Sequence, residues 1–317
     1  MKKLPRKFKL ILLFAFAWGI AANFSLLKAI DWRPATRGQP EKKFVVKPGG
    51  LLSFDADLGH GEVVTGDYES VRVEFKSYFK VETAEEVEAL YDKLSIEMLQ
   101  TDNTVKVTVK FADGNHTNRA KVRLDFRVHV PRKFNLDLRT GGSAVVGDVD
   151  GTVNASTFGG SLKLGNVSGS VTAKSHGGSL TIGNVGADLE ARCEGGSSTI
   201  GHVNGRVVAT TEGGSVSIEE ATEAIDATAT GGSVKVHLSK SPRSNCKITA
   251  NAGDIDLRLA ESVAVTIDAA CTAGGITSEF VIAAKARTKP TQLKGDINGG
   301  GPVLVLRTTA GSVHIRK

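Results

Sequence analysis

Between Gly141 and Leu238 the hydrophobic and polar residues repeat with a fixed period of eighteen residues. The tripeptide Gly-Gly-Ser opens every repeat, and aliphatic side chains follow at positions four, six, nine, thirteen and fifteen, with Ser198 at position four as the exception. Polar residues alternate with these positions, and a period of two is typical of strands with one buried face. A period this regular indicates a stack of similar units. The repeats begin at Gly141, Gly159, Gly177, Gly195, Gly213 and Gly231.

This pattern predicts an all-β fold, a β-solenoid with two short strands in each coil. Equivalent residues of neighbouring coils would then stack about 4.8 Å apart, the spacing of paired strands. Position seventeen carries small residues, and the paired glycines predict corners with positive φ. Position fifteen is always alanine, which predicts a thin core without room for larger side chains. The alanine column consists of Ala155, Ala173, Ala191, Ala209 and Ala227.

The repeat continues in a degraded form up to Lys317, so the solenoid domain is predicted to span 140–317. Similar openings begin at Ala252, Ala273, Lys294 and Ala310, which gives coils of 18–21 residues with one shorter spacing. Extra residues, such as Ser239–Asn245, would form outward loops. In sequence order, the final strand would carry the charges of Arg316 and Lys317 at the end of the stack.

The first thirty residues have the composition of a targeting segment. Basic residues precede the apolar run Leu10–Trp18, and Gly19-Ile20-Ala21 offers the small residues at which signal peptidases cut. A retained N-terminal membrane anchor is the alternative, because Leu10–Leu27 is eighteen residues long. Either interpretation predicts an exported protein of the periplasm or cell envelope, or a secreted one. Residues 31–41 are predicted to be a linker.

Residues 42–139 lack the repeat and are predicted to form a β-rich capping domain with one helix. The helix is expected from Thr83 to Ser95, where Thr83 and Glu86 have the spacing of a capping box. Such a domain would cover the exposed strand edges of the first coil. The predicted strands lie at Phe44–Lys47, Leu51–Ala56, Val71–Phe75, Val105–Phe111 and Val122–Val130.

The chain after residue 30 resembles a bacterial family of secreted or envelope-bound β-helical domains named putative adhesins. The resemblance rests on Leu51–Gly66, Val128–Gly142, the Gly-Gly-Ser coils and Gly295–Thr308. It implies a β-helical fold and an adhesin-like or scaffold role. The family has no established catalytic motif, so the resemblance implies no functional residues.

Charge gives no reason to expect nucleic-acid binding. The formal net charge is +6, but 1–29 contribute six Lys or Arg and no acid, which leaves 34 basic and 34 acidic residues. The basic character therefore belongs to the predicted targeting segment.

Two kinds of chemistry that β-helices carry are not expected here. Calcium β-rolls need an aspartate at position six of a glycine-rich repeat, and this chain has aliphatic residues there. Polysaccharide-cleaving enzymes need paired carboxylates and sugar-stacking aromatics. Phe158 is the only Phe, Tyr or Trp between Gly141 and Glu279. The stacked pair Glu194 and Glu212 is the remaining cation-site candidate.

No catalytic, cofactor-binding or metal-binding residues are therefore predicted. His176 and His202 are expected at the surface in different columns. Cys193 and Cys271 fall on the small inward column four coils apart, roughly 19 Å, which is too far for a disulfide. The three cysteines are thus expected to be buried free thiols.

We expect a non-enzymatic adhesin-like or scaffold protein of the envelope that binds an unidentified protein or glycan. Contact with a membrane is expected only through the N-terminal segment, if it is not cleaved. The alternatives are an enzyme that acts on extracellular polysaccharide, as a lyase or hydrolase, and a self-assembling envelope filament.

Overall fold

A computed structural model describes residues 32–35, 41–112 and 116–317. The predicted signal peptide or anchor at 1–30 lies outside these residues. The N-terminal part is mostly β-structure, and Arg33–Ala35, within the expected linker, forms a strand. Its elements are β1 (Arg33–Ala35), β2 (Glu41–Val45), β3 (Gly50–Ala56), β4 (His60–Gly66), β5 (Ser70–Phe79), α1 (Ala84–Tyr91), β6 (Leu94–Thr101), β7 (Thr104–Phe111), α2 (His116–Arg119) and β8 (Val122–Pro131).

The repeat region forms a ladder of parallel strands that alternate between two sheets, which we call sheet A and sheet B. Odd-numbered strands from β9 to β21 lie in sheet B, and even-numbered strands from β10 to β22 lie in sheet A. The strands are β9 (Phe134–Thr140), β10 (Ala144–Val146), β11 (Val153–Thr157), β12 (Leu162–Leu164), β13 (Val171–Ser175), β14 (Leu180–Ile182), β15 (Leu189–Cys193), β16 (Ser198–Val203), β17 (Val207–Thr211), β18 (Val216–Ala221), β19 (Ile225–Ala229), β20 (Val234–Leu238), β21 (Cys246–Ala250) and β22 (Ile255–Leu259).

The remaining strands complete both sheets at the C-terminal end. They are β23 (Val265–Ala273), β24 (Ile276–Ser278), β25 (Ala283–Lys289), β26 (Gln292–Ile297), β27 (Val303–Ala310) and β28 (Val313–Arg316). Among the described residues each sheet contains 14 strands. The all-β solenoid predicted from the sequence is confirmed.

The core lies between the two sheets and consists of the predicted columns. Equivalent residues stack in register: Leu162 pairs with Leu180 in sheet A, and Ala173 pairs with Ala191 in sheet B. All five alanines of position fifteen are at most 1% exposed. One continuous cluster of buried side chains extends from Phe44 to Ile315. Its aliphatic ladders supply the hydrophobic burial that no single coil achieves alone.

The paired glycines are needed for a reason other than the predicted one. None of the Gly-Gly pairs of the six repeats has positive φ in the described chain, so that prediction was wrong. The backbones of successive corners approach closely instead. A Cβ on Gly178 would lie 2.5 Å from the Ser161 nitrogen and 2.6 Å from the Gly160 carbonyl carbon. Corners stacked at the strand spacing have room only for hydrogen at this position.

The small residues of position seventeen complete the same corners. Thr157 Oγ1 donates a hydrogen bond to the Gly160 carbonyl at 2.7 Å, and Thr211 Oγ1 donates to Gly196 at 2.6 Å. Both threonines are fully buried. These bonds satisfy buried hydroxyl groups, which would be costly to leave unpaired.

Residues 42–139 extend the same two sheets. Strand β3 lies between β7 and β9 in sheet B, and β4 lies between β8 and β10 in sheet A. At the N-terminal end, β5 and β6 add antiparallel strands. Side-chain hydrogen bonds connect the sheets there: Lys42 Nζ donates to the Met98 carbonyl, and Gln100 Nε2 donates to the Val45 carbonyl, each at 2.7 Å. The division into a capping domain and a solenoid domain stays a prediction.

The capping box of α1 is confirmed, but the helix is shorter than predicted. The Glu86 amide donates to Thr83 Oγ1, and the Thr83 amide donates to the Glu86 carboxylate, each at 3.2 Å. The helix ends at Tyr91 because Leu94 begins β6, which pairs with β7.

The order of coils at the C-terminal end differs from the order in the sequence. Strand β27 lies between β21 and β23, and β28 lies between β22 and β24. Arg316 and Lys317 are therefore inside the stack, and their expected place at its end was wrong. The expected distance between Cys193 and Cys271 was also wrong, because five strand spacings of about 4.8 Å separate their strands. All three cysteines are buried free thiols, as expected.

Candidate binding groove

The outer face of sheet A carries a groove with a volume of about 910 Å³. The surface is recessed there because residues with short side chains follow one another along the stack and form the floor of the groove. Thr199 pairs with Ser217 in one outward column, and Gly183 and Gly201 line the groove beside them. The groove extends from β14 to β28, which are five strand spacings apart, or about 24 Å. Its length thus follows the axis along which the coils stack.

His202 and Glu220 form one wall of the groove. His202 lies on β16 and Glu220 on β18, where they are register partners in successive coils. His202 Nδ1 lies 2.8 Å from a Glu220 carboxylate oxygen. The nearby Ser239 hydroxyl lowers the pKa of Glu220. This effect outweighs partial burial, and nearby His202 and His237 act in the same direction. Glu220 is therefore a carboxylate at neutral pH.

The far end of the groove is formed by β20, β22 and β28 and carries most of its cationic side chains. His237 is the register partner of Arg258, and Arg258 is the partner of Arg316. The Arg258 Nε donates to the Lys317 carbonyl at 2.9 Å, and Arg316 Nε lies 3.1 Å from Asp256 Oδ1. Three nitrogen-bearing side chains thus occupy one outward column.

The cation-site candidate Glu194 and Glu212 lies outside the groove, and an arginine bridges it. Arg192 Nη2 lies 3.3 Å from the Glu212 carboxylate, and its Nε lies 3.8 Å from that of Glu194. These side chains are about one-third to one-half exposed. A protein cation therefore occupies the position between the two carboxylates.

His176 and His202 lie in different outward columns, as predicted: His176 directly follows β13 in sheet B, and His202 is on β16 in sheet A. The His176 ring stacks on Phe158 with centroids 4.9 Å apart and an angle of 9° between the rings. The guanidinium carbon of Arg139 lies 4.8 Å from the same Phe158 ring. Phe158, although partly exposed, is therefore in contact with two side chains of its own chain. It borders a second depression of about 550 Å³.

The cationic end of the groove was not found from the sequence. Arg258 and Arg316 are 58 positions apart in the chain, and only the insertion of β28 beside β22 makes them neighbours. The polar residues at outward positions of the degraded coils were a signal that the region is exposed. They did not reveal which outward residues meet.

Two negative findings apply to the described part of the chain. No cluster of three or more His, Cys, Asp or Glu side chains is arranged to hold a metal ion there. Within the same ranges, no helix combines the length and the apolar character that crossing a membrane requires.

Comparisons with known proteins identify a family. The sequence model of the family described as Toastrack DUF4097 matches residues 68–316 of this chain. No curated protein is significantly similar to it in sequence.

Several solved structures are similar to this one at low sequence identity. A putative adhesin from Parabacteroides distasonis is 12% identical with a TM-score of 0.47, covering 90% of this chain and 98% of its own. A putative adhesin from Parabacteroides merdae is 12% identical with a TM-score of 0.40, covering 87% and 95%. A putative lipid binding protein from Parabacteroides distasonis is 12% identical with a TM-score of 0.33, covering 90% and 97%.

Proposed function

The chain belongs to the Toastrack DUF4097 family, and we propose that it is a non-enzymatic, adhesin-like protein of the cell envelope whose sheet A groove binds an extended polymer. The observation that carries this proposal is the course of the groove along the stacking axis, with a floor of small side chains such as Thr199 and Ser217. A linear chain fits such a trough along its length. Hydroxyl groups and charged side chains on the floor and walls offer polar contacts to a polymer rich in hydroxyls.

Export is part of the proposal and rests on the sequence. Five basic residues before Leu10–Trp18 and the small residues at Gly19-Ile20-Ala21 form a pattern that export machinery recognises. An exported solenoid would display the groove to polymers of the envelope.

The electrostatics of the groove favour binding over catalysis. A general acid for glycoside cleavage needs a carboxyl group whose pKa is raised. The pKa of Glu220 is lowered instead, and His202 is in contact with it. Asp256 likewise lies in an ion pair with Arg316. Side chains held this way are suited to static polar recognition.

The experiment that tests the proposal measures the binding of envelope polysaccharide to the full-length protein. Thr199→Trp fills the groove floor, and Thr172→Trp places the same side chain on the outer face of sheet B. We expect Thr199→Trp to weaken binding by about tenfold or more, because the bulky ring occupies the trough, and Thr172→Trp to bind like the wild type. Equal binding by all three proteins would refute the groove as the site. Shortened polysaccharide after incubation would refute the non-enzymatic role.

A further inference from the structure

The column of His237, Arg258 and Arg316, here called the cationic column, brings the like charges of Arg258 and Arg316 together. The register places the three residues on adjacent strands, about 4.8 Å apart. Like charges directly opposite each other on a sheet destabilise it. Arg258 and Arg316 are also on the outer face, where the core does not require either residue. The electrostatic repulsion between Arg258 and Arg316 therefore points to a function that offsets its cost to stability.

Neighbouring carboxylates neutralise this end of the groove only in part. Asp256 forms an ion pair with Arg316 at 3.1 Å, and the Glu279 carboxylate accepts a hydrogen bond from the Lys317 amide at 3.0 Å. Lys235 lies beside Asp256 on the adjacent strand. Within the described residues no carboxylate forms an ion pair with Lys235. Lysine and arginine therefore outnumber aspartate and glutamate at this end of the groove.

The charge distribution along the groove is also uneven. The wall near β16 and β18 carries Glu219 and Glu220, whereas the end at β20, β22 and β28 carries the cationic column. After removal of 1–29 the chain has as many basic as acidic residues. The cationic end is thus a local feature of one face and not a consequence of a basic protein.

We propose that the cationic end of the groove, with Lys235 and Arg258 as its principal contacts, binds the carboxylate or phosphate groups of an anionic polymer. This inference rests on the proposed groove function and names the class of polymer that the groove takes. Arginine presents parallel N–H donors that match the oxygens of a carboxylate or phosphate. Arg258 uses its Nε for the Lys317 carbonyl, which leaves both terminal nitrogens for a ligand. Polymer anions would also relieve the repulsion within the column.

The test compares two double variants that remove the same charge. Lys235→Gln/Arg258→Gln alters the proposed site. Lys163→Gln/Arg192→Gln is the matched control, because Lys163 lies in the same outward column four strands away, about 19 Å, and Arg192 lies on sheet B. The full-length proteins are titrated with fluorescent polygalacturonate, polyphosphate and dextran, which present carboxylates, phosphates and no charge. Melting temperatures confirm that each variant is folded.

We expect polygalacturonate or polyphosphate to bind the wild type more tightly than dextran, and more weakly as salt is raised. The Lys235→Gln/Arg258→Gln variant should lose about tenfold or more in affinity, whereas the control should stay within about twofold. Equal losses in the two double variants would overturn the inference. Dextran binding as tight as polyanion binding, with a loss in Thr199→Trp, would overturn it and leave the groove function intact. Failure of every polymer to bind would overturn both.

Discussion

At the residue scale, the corners of the solenoid are packed backbone against backbone. From Gly160 to Gly232, the second glycine of each pair faces the serine of the preceding coil at distances below ordinary contact for an added carbon. The serines of successive corners are also linked, since the Ser179 amide donates to Ser161 Oγ at 3.2 Å and the Ser215 amide to Ser197 Oγ at 3.1 Å. Gly-Gly-Ser is therefore a stacking motif.

Gly178→Ala tests this account of the corner. Its Cβ would meet backbone atoms of the preceding coil, and relief of the clash requires the stack to open there. We expect a loss of about 1–3 kcal/mol in the free energy of unfolding, the usual cost of overpacking. Gly275→Ala is the control, because nothing lies within 4 Å of an added Cβ at that position. Equal stabilities of the two variants in urea denaturation would contradict the close approach.

The alanine column gives a second prediction at this scale. Ala191 is 1% exposed and stacks between Ala173 and Ala209. Ala191→Leu adds three carbons to a filled layer and should cost about 1–3 kcal/mol in denaturation. Thr181→Leu, on the outward face of β14, should change stability by less than about 0.5 kcal/mol. Matching denaturation midpoints for the two variants would contradict the assignment of Ala191 to the buried face and Thr181 to the exposed face.

The sequence predicted these columns because burial alternates along a strand. The hydrophobic or polar character of each side chain therefore assigns it to the buried or the exposed face. Ala173 and Thr181 both lie on the predicted faces. The role of the glycines could not be predicted in the same way. A glycine that avoids a neighbour and a glycine with positive φ have the same letter in the sequence, and only the positions of Gly160 and Ser161 relative to Gly178 distinguish them.

At the scale of elements, coils in the repeat are interchangeable, whereas the C-terminal coil is not. Strands β14 and β15 add one layer to a ladder whose register is the same on both sides. Strands β27 and β28 join two parts of the chain that do not pair with each other directly. Deletion of one repeat coil and deletion of the C-terminal coil should therefore have different effects on stability.

Deletion of residues 177–194 removes one complete repeat and lets β12 and β13 pair with β16 and β17 in the native register. We expect the melting temperature to fall by no more than about 5 °C, since one nearest-neighbour interface is lost. Deletion of residues 300–317 removes the same length but exposes the edges of β21, β22, β23 and β24. That variant should lose more than about 10 °C or aggregate. Thermal denaturation followed by circular dichroism compares the two, and equal losses would contradict the inserted position of the C-terminal coil.

The sequence could not predict the order in which these C-terminal strands pair. The openings at Ala252, Ala273 and Ala310 have the same apolar pattern, so each strand fits beside any of the others. Pairing in register depends on which coils meet, and hydrophobic alternation carries no information about that choice. The end of α1 was missed for a related reason, because Leu94 fits both the helical face and the first position of β6.

At the scale of the whole molecule, the solenoid is held by hydrophobic ladders and backbone pairing. The positions that hold calcium ligands in β-rolls carry Leu162 and Leu164 in one coil and Val216 and Ile218 in another, all buried. Buried aliphatic side chains thus stand at the positions where a calcium roll keeps glycine and aspartate.

We therefore expect stability to be independent of calcium. Excess EDTA should leave the β circular-dichroism spectrum and the melting temperature of the full-length protein unchanged. The remaining carboxylate pair, Glu194 and Glu212, is bridged by Arg192 at the surface and would contribute little through a bound ion. A large fall in melting temperature that calcium restores would contradict this account of the core.

Strand β28 of the C-terminal coil is inserted between β22 and β24, and this insertion builds the cationic end of the groove. A pair of engineered cysteines measures it directly. Asp256 and His314 are register partners on β22 and β28, whereas Asp256 and Thr277 are two strands apart, about 10 Å. A disulfide needs Cα atoms within about 7 Å. The native cysteines are buried.

After oxidation, peptide mass spectrometry should find the disulfide in Asp256→Cys/His314→Cys and not in Asp256→Cys/Thr277→Cys. The opposite result would mean that the coils stack in sequence order and that the groove, as described, does not exist.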